Sequence, residues 1–221
     1  MNTPDASDLQ RIYEARFCRN QAYRREVWRV LIEDFFQPFV RPTDTVFDLG
    51  CGYGEFINQI RCGKKFAMDL NPEAPSRVAA DVTCLLQDCS TPWPLPDHSL
   101  DVIFTSNFFE HLPDKAALTR TLTEARRCLK PNGRLIALGP NIKLMPGAYW
   151  EFCDHYLPLT ENSLAEAMRH CGFQIESARA KFLPYTMADG REYPLFCVRL
   201  YLRVRLAWWL FGKQFLVVAV K

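Results

Sequence analysis

The sequence predicts a layered α/β fold: one domain built on a seven-stranded, mostly parallel sheet flanked by helices. Three observations predict it. Apolar runs of four to eight residues alternate with helix-periodic stretches along most of the chain, the pattern of successive parallel βαβ units. A length of 221 residues suits one large domain. Residues 46–56, V-F-D-L-G-C-G-Y-G-E-F, place three of the ten glycines within five positions, directly behind the first apolar run. Glycine inside an element costs about 0.5–1 kcal/mol relative to alanine, so the cluster marks a sharp turn or a close approach by something else.

Residues 8–40 read as a helical arm, with Leu9, Ile12, Tyr13, Phe17, Val27, Val30 and Leu31 at three- and four-residue intervals. Pro38 and Pro42 close it. The first strand is T-V-F-D-L, followed by the glycine turn and a helix over Glu55–Ile60. K-F-A-M-D-L is the second strand and Cys84–Gln87 the third. After the proline-broken P-W-P-L-P-D-H loop, L-D-V-I-F-T-S is the fourth strand, and residues 114–129 form an amphipathic helix stopped by K-P-N-G. R-L-I-A-L-G-P is the fifth strand, Ser163–Cys171 a helix ended by Gly172, F-Q-I-E-S-A-R-A the sixth strand and Q-F-L-V-V-A-V the last. The chain thus divides into an arm (1–40), a ligand-binding core (41–176) and C-terminal strands interrupted by an aromatic and basic insert (177–221).

Composition narrows the class of function. Basic and acidic residues nearly balance, 27 against 25, and a net charge of +2 does not call for a nucleic-acid partner. The polar, acidic start M-N-T-P-D-A-S-D-L-Q is not a signal peptide. Nine cysteines without a CxxC pair suggest reduced thiols in a cytoplasmic protein. No apolar run approaches the ~20 residues that span a bilayer.

Open α/β sheets bind ligands at the carboxyl ends of their strands, where strand order reverses. A glycine turn leading from the first strand offers free N–H groups to such a ligand. The spacing here is G-x-G-x-G, because Glu55 occupies the third glycine position of the dinucleotide pattern G-x-G-x-x-G. Asp69 ends the second strand, nineteen residues beyond Gly50, and Asp88 follows the third. One acid suits a ribose diol and the other an adenine amino group, which implies an adenosine without a pyrophosphate.

At this point the sequence resembles the class I, Rossmann-like S-adenosylmethionine-dependent methyltransferases. V-F-D-L-G-C-G-Y-G is similar to their first motif and F-A-M-D-L-N-P to their ribose motif. D-C-S-T-P-W-P-L-P-D-H-S-L-D-V-I-F resembles their acid–loop–strand segment, and L-K-P-N-G-R-L-I-A their fifth-strand signature. The resemblance covers roughly residues 44–140. It implies S-adenosyl-L-methionine as cofactor, cradled by Gly50, Gly52 and Gly54 in a loop that includes Cys51 and Tyr53. Asp48 would hold that loop and the cofactor amino group. Asp69 would bind the ribose and Leu70 the adenine face; Asp88 and Cys89 would meet the adenine edge, with Asp81 a rival for that role. Asn107, just past the fourth strand, would also touch the cofactor.

Methyl transfer from a sulfonium needs alignment in a dry site, and a base only where the acceptor must lose a proton. T-S-N-F-F-E-H-L (105–112) offers Glu110 and His111, and G-A-Y-W-E-F-C-D-H-Y (147–156) offers Tyr149, Asp154, His155 and Tyr156, with His155 as base. The N/D-P-P-Y/F signature of many amino-directed methyltransferases is missing. E-H-L in its place resembles methyltransferases of small molecules, which points to a small-molecule or lipid-linked acceptor methylated at oxygen, and away from nucleic acid. Glu110, His111 and His155 also loosely resemble the metal cluster of small-RNA 2′-O-methyltransferases. Asn107 stands where that cluster has a second glutamate, so no metal is expected. The competing classes are a nicotinamide-dependent oxidoreductase and a catalytically idle scaffold.

The insert over 195–211 mixes large apolar residues with arginines and contains no acid. Both helical and strand periodicities fit; its length and lack of turn residues favour a helix. It offers a peripheral membrane contact, or a lid or homodimer surface. With the arm (Tyr13, Arg16, Phe17, Tyr23, Arg24) it is expected to roof the acceptor pocket, so that removing 1–30 would spare cofactor binding.

Overall fold

The computed structural model describes residues 20–185 and 192–221; the arm readings at Leu9, Ile12, Tyr13, Arg16 and Phe17 lie outside them. The seven strands are β1 (Thr45–Leu49), β2 (Lys64–Asp69), β3 (Val82–Leu86), β4 (Leu100–Ser106), β5 (Leu129–Pro140), β6 (Gln174–Arg179) and β7 (Gln214–Val220). They form one sheet in the order β3-β2-β1-β4-β5-β7-β6. All neighbours pair in parallel except β7, which runs antiparallel between β5 and β6. The chain works outward from β1 to β3 and then crosses back to β4, so the switch point lies between β1 and β4.

The helices are α1 (Gln21–Leu31), the single turn α2 (Ala74–Arg77), α3 (Lys115–Cys128), α4 (Glu161–His170), α5 (Leu195–Arg203) and α6 (Arg205–Phe211). Local chemistry sets their ends. Asp114 caps α3 by accepting from the Ala117 N–H at 2.7 Å, and Thr160 with Ser163 forms a capping box on α4. Gly172, at φ +88°, ends α4 in the left-handed region.

Alternate side chains of each strand feed two cores. Phe47, Leu49, Ile103, Leu135, Phe215 and Val217 pack against α3 and α4. Val46, Val102, Phe104, Ile136, Leu216 and Val218 pack against α1, α5 and α6. On that second face Phe56 stacks on Phe104, with centroids 3.8 Å apart.

Three expectations change. The helix predicted over Glu55–Ile60 is a run of turns: β2 begins at Lys64, directly behind Gly63, so the chain turns back before a helix can propagate. The insert is helical, as expected, but it breaks at Val204 into two helices. The arm is not a detachable roof over the described residues, because Val27, Val30 and Leu31 are buried in the second core. Arm and insert do meet. Arg199 pairs with Glu33 at 2.7 Å and also with Asp34, and the Tyr193 N–H donates to the Tyr23 hydroxyl at 2.8 Å.

Candidate functional site

The glycine turn leaves the end of β1 with Gly50, Gly52 and Gly54 all at positive φ (71°, 53° and 74°), conformations that side-chain-bearing residues rarely adopt. Gly50 and Cys51 donate their N–H groups to the Met68 carbonyl, at 2.9 and 3.1 Å. The Gly52 N–H instead donates to Asp69 Oδ2 at 2.7 Å, while Asp69 Oδ1 accepts from the Asn71 N–H at 2.9 Å. The ribose acid predicted from sequence therefore lies directly on the predicted cradle. Burial raises the Asp69 pKa, and these amide hydrogen bonds, with the His111 charge, oppose the rise.

The other predicted cofactor residues take varied places. Asp48 is buried and accepts from the Ile57 N–H, which ties β1 to the loop beyond the turn; burial, then the Glu55 charge, raises its pKa well above the ordinary carboxylate value. Leu70 is 45% exposed beside Asp69, an apolar face open to a ring. Asp88 is exposed just past β3. The Tyr53 ring packs under the Arg77 guanidinium, at 4.7 Å. Two side chains point elsewhere than expected. Cys51 is turned into the second core toward Cys84, and Cys89 is buried with its thiol against Thr121, so each is left with a backbone role. Asp81 precedes β3 at the opposite sheet edge and pairs there with Lys65 at 3.0 Å, too far along the strand to read an adenine.

Three unsatisfied polar atoms mark this edge: Asn107 Oδ1, Asn71 Nδ2 and Thr105 Oγ1 are buried without hydrogen bonds. Asn107 stands at φ +49° directly after β4. A Cβ on Gly50 would fall 2.2 Å from the Phe108 ring, so a glycine is required here by close approach as well as by φ. The Gly50, Cys51, Gly52 and Gly54 N–H groups are spent within the chain, not free as expected; the buried carboxylate, the exposed leucine and the unspent side-chain amides are what fit an adenosyl ligand that carries an amino acid tail.

The second half of the site joins two loops. The Glu110 carbonyl accepts from the Tyr156 and Leu157 N–H groups at 2.9 and 3.0 Å, which pins the segment after β5 onto the segment after β4. Glu110 is buried, its Oε1 lacks a hydrogen bond, and burial pushes its pKa up to about 7. His111 Nδ1 lies 2.8 Å from the Asp154 carbonyl. A carbonyl only accepts, so Nδ1, which also lies 3.3 Å from Asp154 Oδ2, carries a proton, and in the neutral ring Nε2 holds the lone pair. His155 sits 5.0 Å from the His111 ring, stacked on Phe152 at 4.9 Å and edge-on to Tyr149 at 4.7 Å.

The structure thus brings together the three residues predicted as catalytic; donor atoms of Glu110, His111 and His155 all lie within 4.8 Å of one another. His155, predicted as the base, is the enclosed member at 5% exposure. The His111 side chain is 27% exposed and is the accessible one. Sequence reasoning missed Phe108 over Gly50, Phe152 on His155, Tyr185 against Phe152 (5.9 Å) and Asn71 beside Asp69. Only Asn71 had a local signal, two residues past the ribose acid.

Residues 47–137 match the family described as a methyltransferase domain. A probable methyltransferase of Aspergillus luteorubrus is 26% identical over 122 residues, covering 46% of this chain and 41% of that relative, so the chain spans about two fifths of its length. A demethylmenaquinone methyltransferase of Symbiobacterium thermophilum is 26% identical over 195 residues, covering 80% and 73%. A solved methyltransferase of Archaeoglobus fulgidus, described as dependent on S-adenosylmethionine, superposes with a TM-score of 0.65 at 20% identity, over 91% of this chain and 97% of that one; at that identity the likeness concerns the fold.

Proposed function

We propose that the chain is a Rossmann-like, S-adenosylmethionine-dependent methyltransferase that transfers a methyl group to an oxygen of a small-molecule or lipid-linked acceptor, a reading supported by the methyltransferase-domain match over residues 47–137 and by the fold. The observation that carries this reading is Phe108, whose ring lies against Gly50 of the cradle and whose carbonyl accepts from the His111 N–H at 3.0 Å, which joins a cofactor cradle to a proton-accepting histidine at one sheet edge. The bound sulfonium supplies an activated methyl group, and the chain supplies alignment and proton removal. Gly50, Gly52, Gly54, Asp69, Leu70, Asp88 and Asn107 hold the cofactor. His111 takes the acceptor proton at Nε2, held in that tautomer by the Asp154 carbonyl. His155 backs the His111 ring, and Glu110 locks the two loops together.

The clustered donors of Glu110, His111 and His155 also have the composition of a metal site. Asn107 in place of a second carboxylate leaves this set one anion short, which favours a metal-free reaction. A relative named for demethylmenaquinone supports a small or lipid-linked acceptor over nucleic acid. The eight described cysteines are free thiols, which supports a reducing, cytoplasmic setting. The test is mass spectrometry of a cell extract incubated with the chain and a donor bearing a deuterated methyl group. A labelled hydroxyl-derived ether or ester is the expected product. Label on carbon or nitrogen overturns the oxygen assignment, and absence of any label favours the idle scaffold.

A further inference from the structure

A helix packed on a protein ordinarily turns its polar side outward. Helices α5 and α6 do the reverse. On α5, Phe196 and Leu200, one turn apart, are 68% and 59% exposed; on α6, Leu206, Trp209 and Leu210 are 65%, 63% and 55% exposed, and Phe211 is 62% exposed. The inward side is already filled, by Leu202 and Trp208, so these outer residues are not a badly seated core. Arg203 emerges from the same face of α5, 74% exposed although its guanidinium also reaches Asp34 at 4.0 Å, and Arg205 and Lys213 are exposed beside it. From Tyr193 to Lys221 there is no aspartate or glutamate. Of the basic residues in this stretch, Arg199 spends its charge on Glu33 and Asp34.

We propose that this face docks on an anionic lipid surface, with Phe196, Leu200, Leu206, Trp209 and Phe211 at the acyl boundary and Arg205 and Lys213 at the headgroups. Charge decides among occupants. A second copy laid symmetrically on the same patch sets Arg205 and Lys213 against like charges, the nearby acids Glu33 and Asp34 being already held by Arg199, whereas anionic headgroups complement them. The helices, of nine and seven residues, lie on a bilayer and do not cross it; among the described residues no helix is long and apolar enough to span one. The docked face is also close to the site: Gln214, just past α6, pairs with Pro140 at the end of β5, which is the edge that carries the glycine turn. A bilayer-borne acceptor is thereby delivered at the right side of the sheet.

The proposal stands on the surface alone and is tested apart from catalysis. The 221-residue chain is floated with vesicles of phosphatidylcholine and with vesicles in which about a third of the lipid is phosphatidylglycerol. Binding to the anionic vesicles at least tenfold above the neutral ones, loss of that binding in high salt, and loss in Trp209→Ala and in the pair Arg205→Glu, Lys213→Glu are expected. The replaced side chains are exposed, so the variants keep the parent melting temperature and S-adenosylhomocysteine affinity; those readouts separate this proposal from the methyl-transfer reading. A folded chain that ignores both vesicle types overturns the proposal, as does anionic binding that survives both sets of substitutions. A dimer that Trp209→Ala dissociates assigns the face to a second copy and overturns it too.

Discussion

Asp69 serves the fold and the ligand at once. Its two oxygens already accept from Gly52 and Asn71, and each retains a second lone pair for a ribose hydroxyl. Asp69→Asn keeps the size and one acceptor but replaces the other with a donor facing the Gly52 N–H. A loss of about 1–3 kcal/mol in cofactor binding, roughly five- to 150-fold, is expected. Calorimetric titration with S-adenosylhomocysteine checks it, and an unchanged affinity removes Asp69 from the ribose. Glu110 makes the complementary case for pH. Its carboxyl titrates at 4.5 in the unfolded chain and at about 7 in the fold, where burial disfavours the charge. Between those values the native state holds a proton that the unfolded state has released, so Glu110 contributes full stability below pH 4.5 and loses it as pH rises through about 7. Glu110→Gln removes that dependence. Melting curves of the two proteins should lie close together near the acid end of this window, and the variant should gain on the parent above it; a constant difference across the window contradicts the buried, titrating carboxyl.

At the scale of elements, the neighbouring pair Trp208 and Trp209 reports how α6 is seated. Trp208 donates from Nε1 to the Tyr201 carbonyl at 2.8 Å and meets Phe182 edge-on at 5.0 Å. Trp209 lies outside, with its ring near Lys181 Nζ at 5.0 Å. Truncating a buried tryptophan to alanine costs about 3–5 kcal/mol, while exposed positions stay within about 0.5 kcal/mol. Urea denaturation of Trp208→Ala and Trp209→Ala should therefore differ by several kcal/mol; equal losses mean that α6 is rotated or packed differently. The same elements show why periodicity alone underdetermined this region. Arginines at 199, 203 and 205 interrupt any simple apolar stripe, and α6 buries one side while leaving apolar residues on the other, so neither period dominated. After Gly54 the opposite happened. Phe56, Ile57 and Ile60 have helical spacing, and all three are buried. The close return into β2 nevertheless denies them a helix, because the sequence marks spacing and not the distance left to travel.

Across the whole molecule, what was legible is what local chemistry writes into consecutive residues. Strand runs, caps and the glycine turn followed from period and turn residues, and Asp69 from its place at a strand end. What was hidden depends on residues far apart in the chain. The inward turn of Cys51, the Phe108 ring against Gly50 and the division of labour between His111 and His155 arise only when β1, β4 and the loop after β5 converge. The ligand class also belongs to this scale, since the edge that binds is assembled from every parallel strand. A nicotinamide dinucleotide needs the third glycine of its turn for a helix to close on the pyrophosphate. Here that position is Glu55, fixed by Arg24 at 2.6 Å, and the helix is replaced by turns. A side chain in place of that glycine, and turns in place of that helix, deny a pyrophosphate its close approach and leave an adenosyl amino acid the better fit. A ligand at about a hundred times its dissociation constant stabilises the native state by about 2.7 kcal/mol, and a chain of this length shifts by about 2–4 °C per kcal/mol. Saturating S-adenosylhomocysteine should thus raise the melting temperature by roughly 5–10 °C, while NADH at the same concentration leaves it in place. Reversal of that order, with NADH the stabiliser, assigns the glycine turn to a pyrophosphate and makes the chain an oxidoreductase.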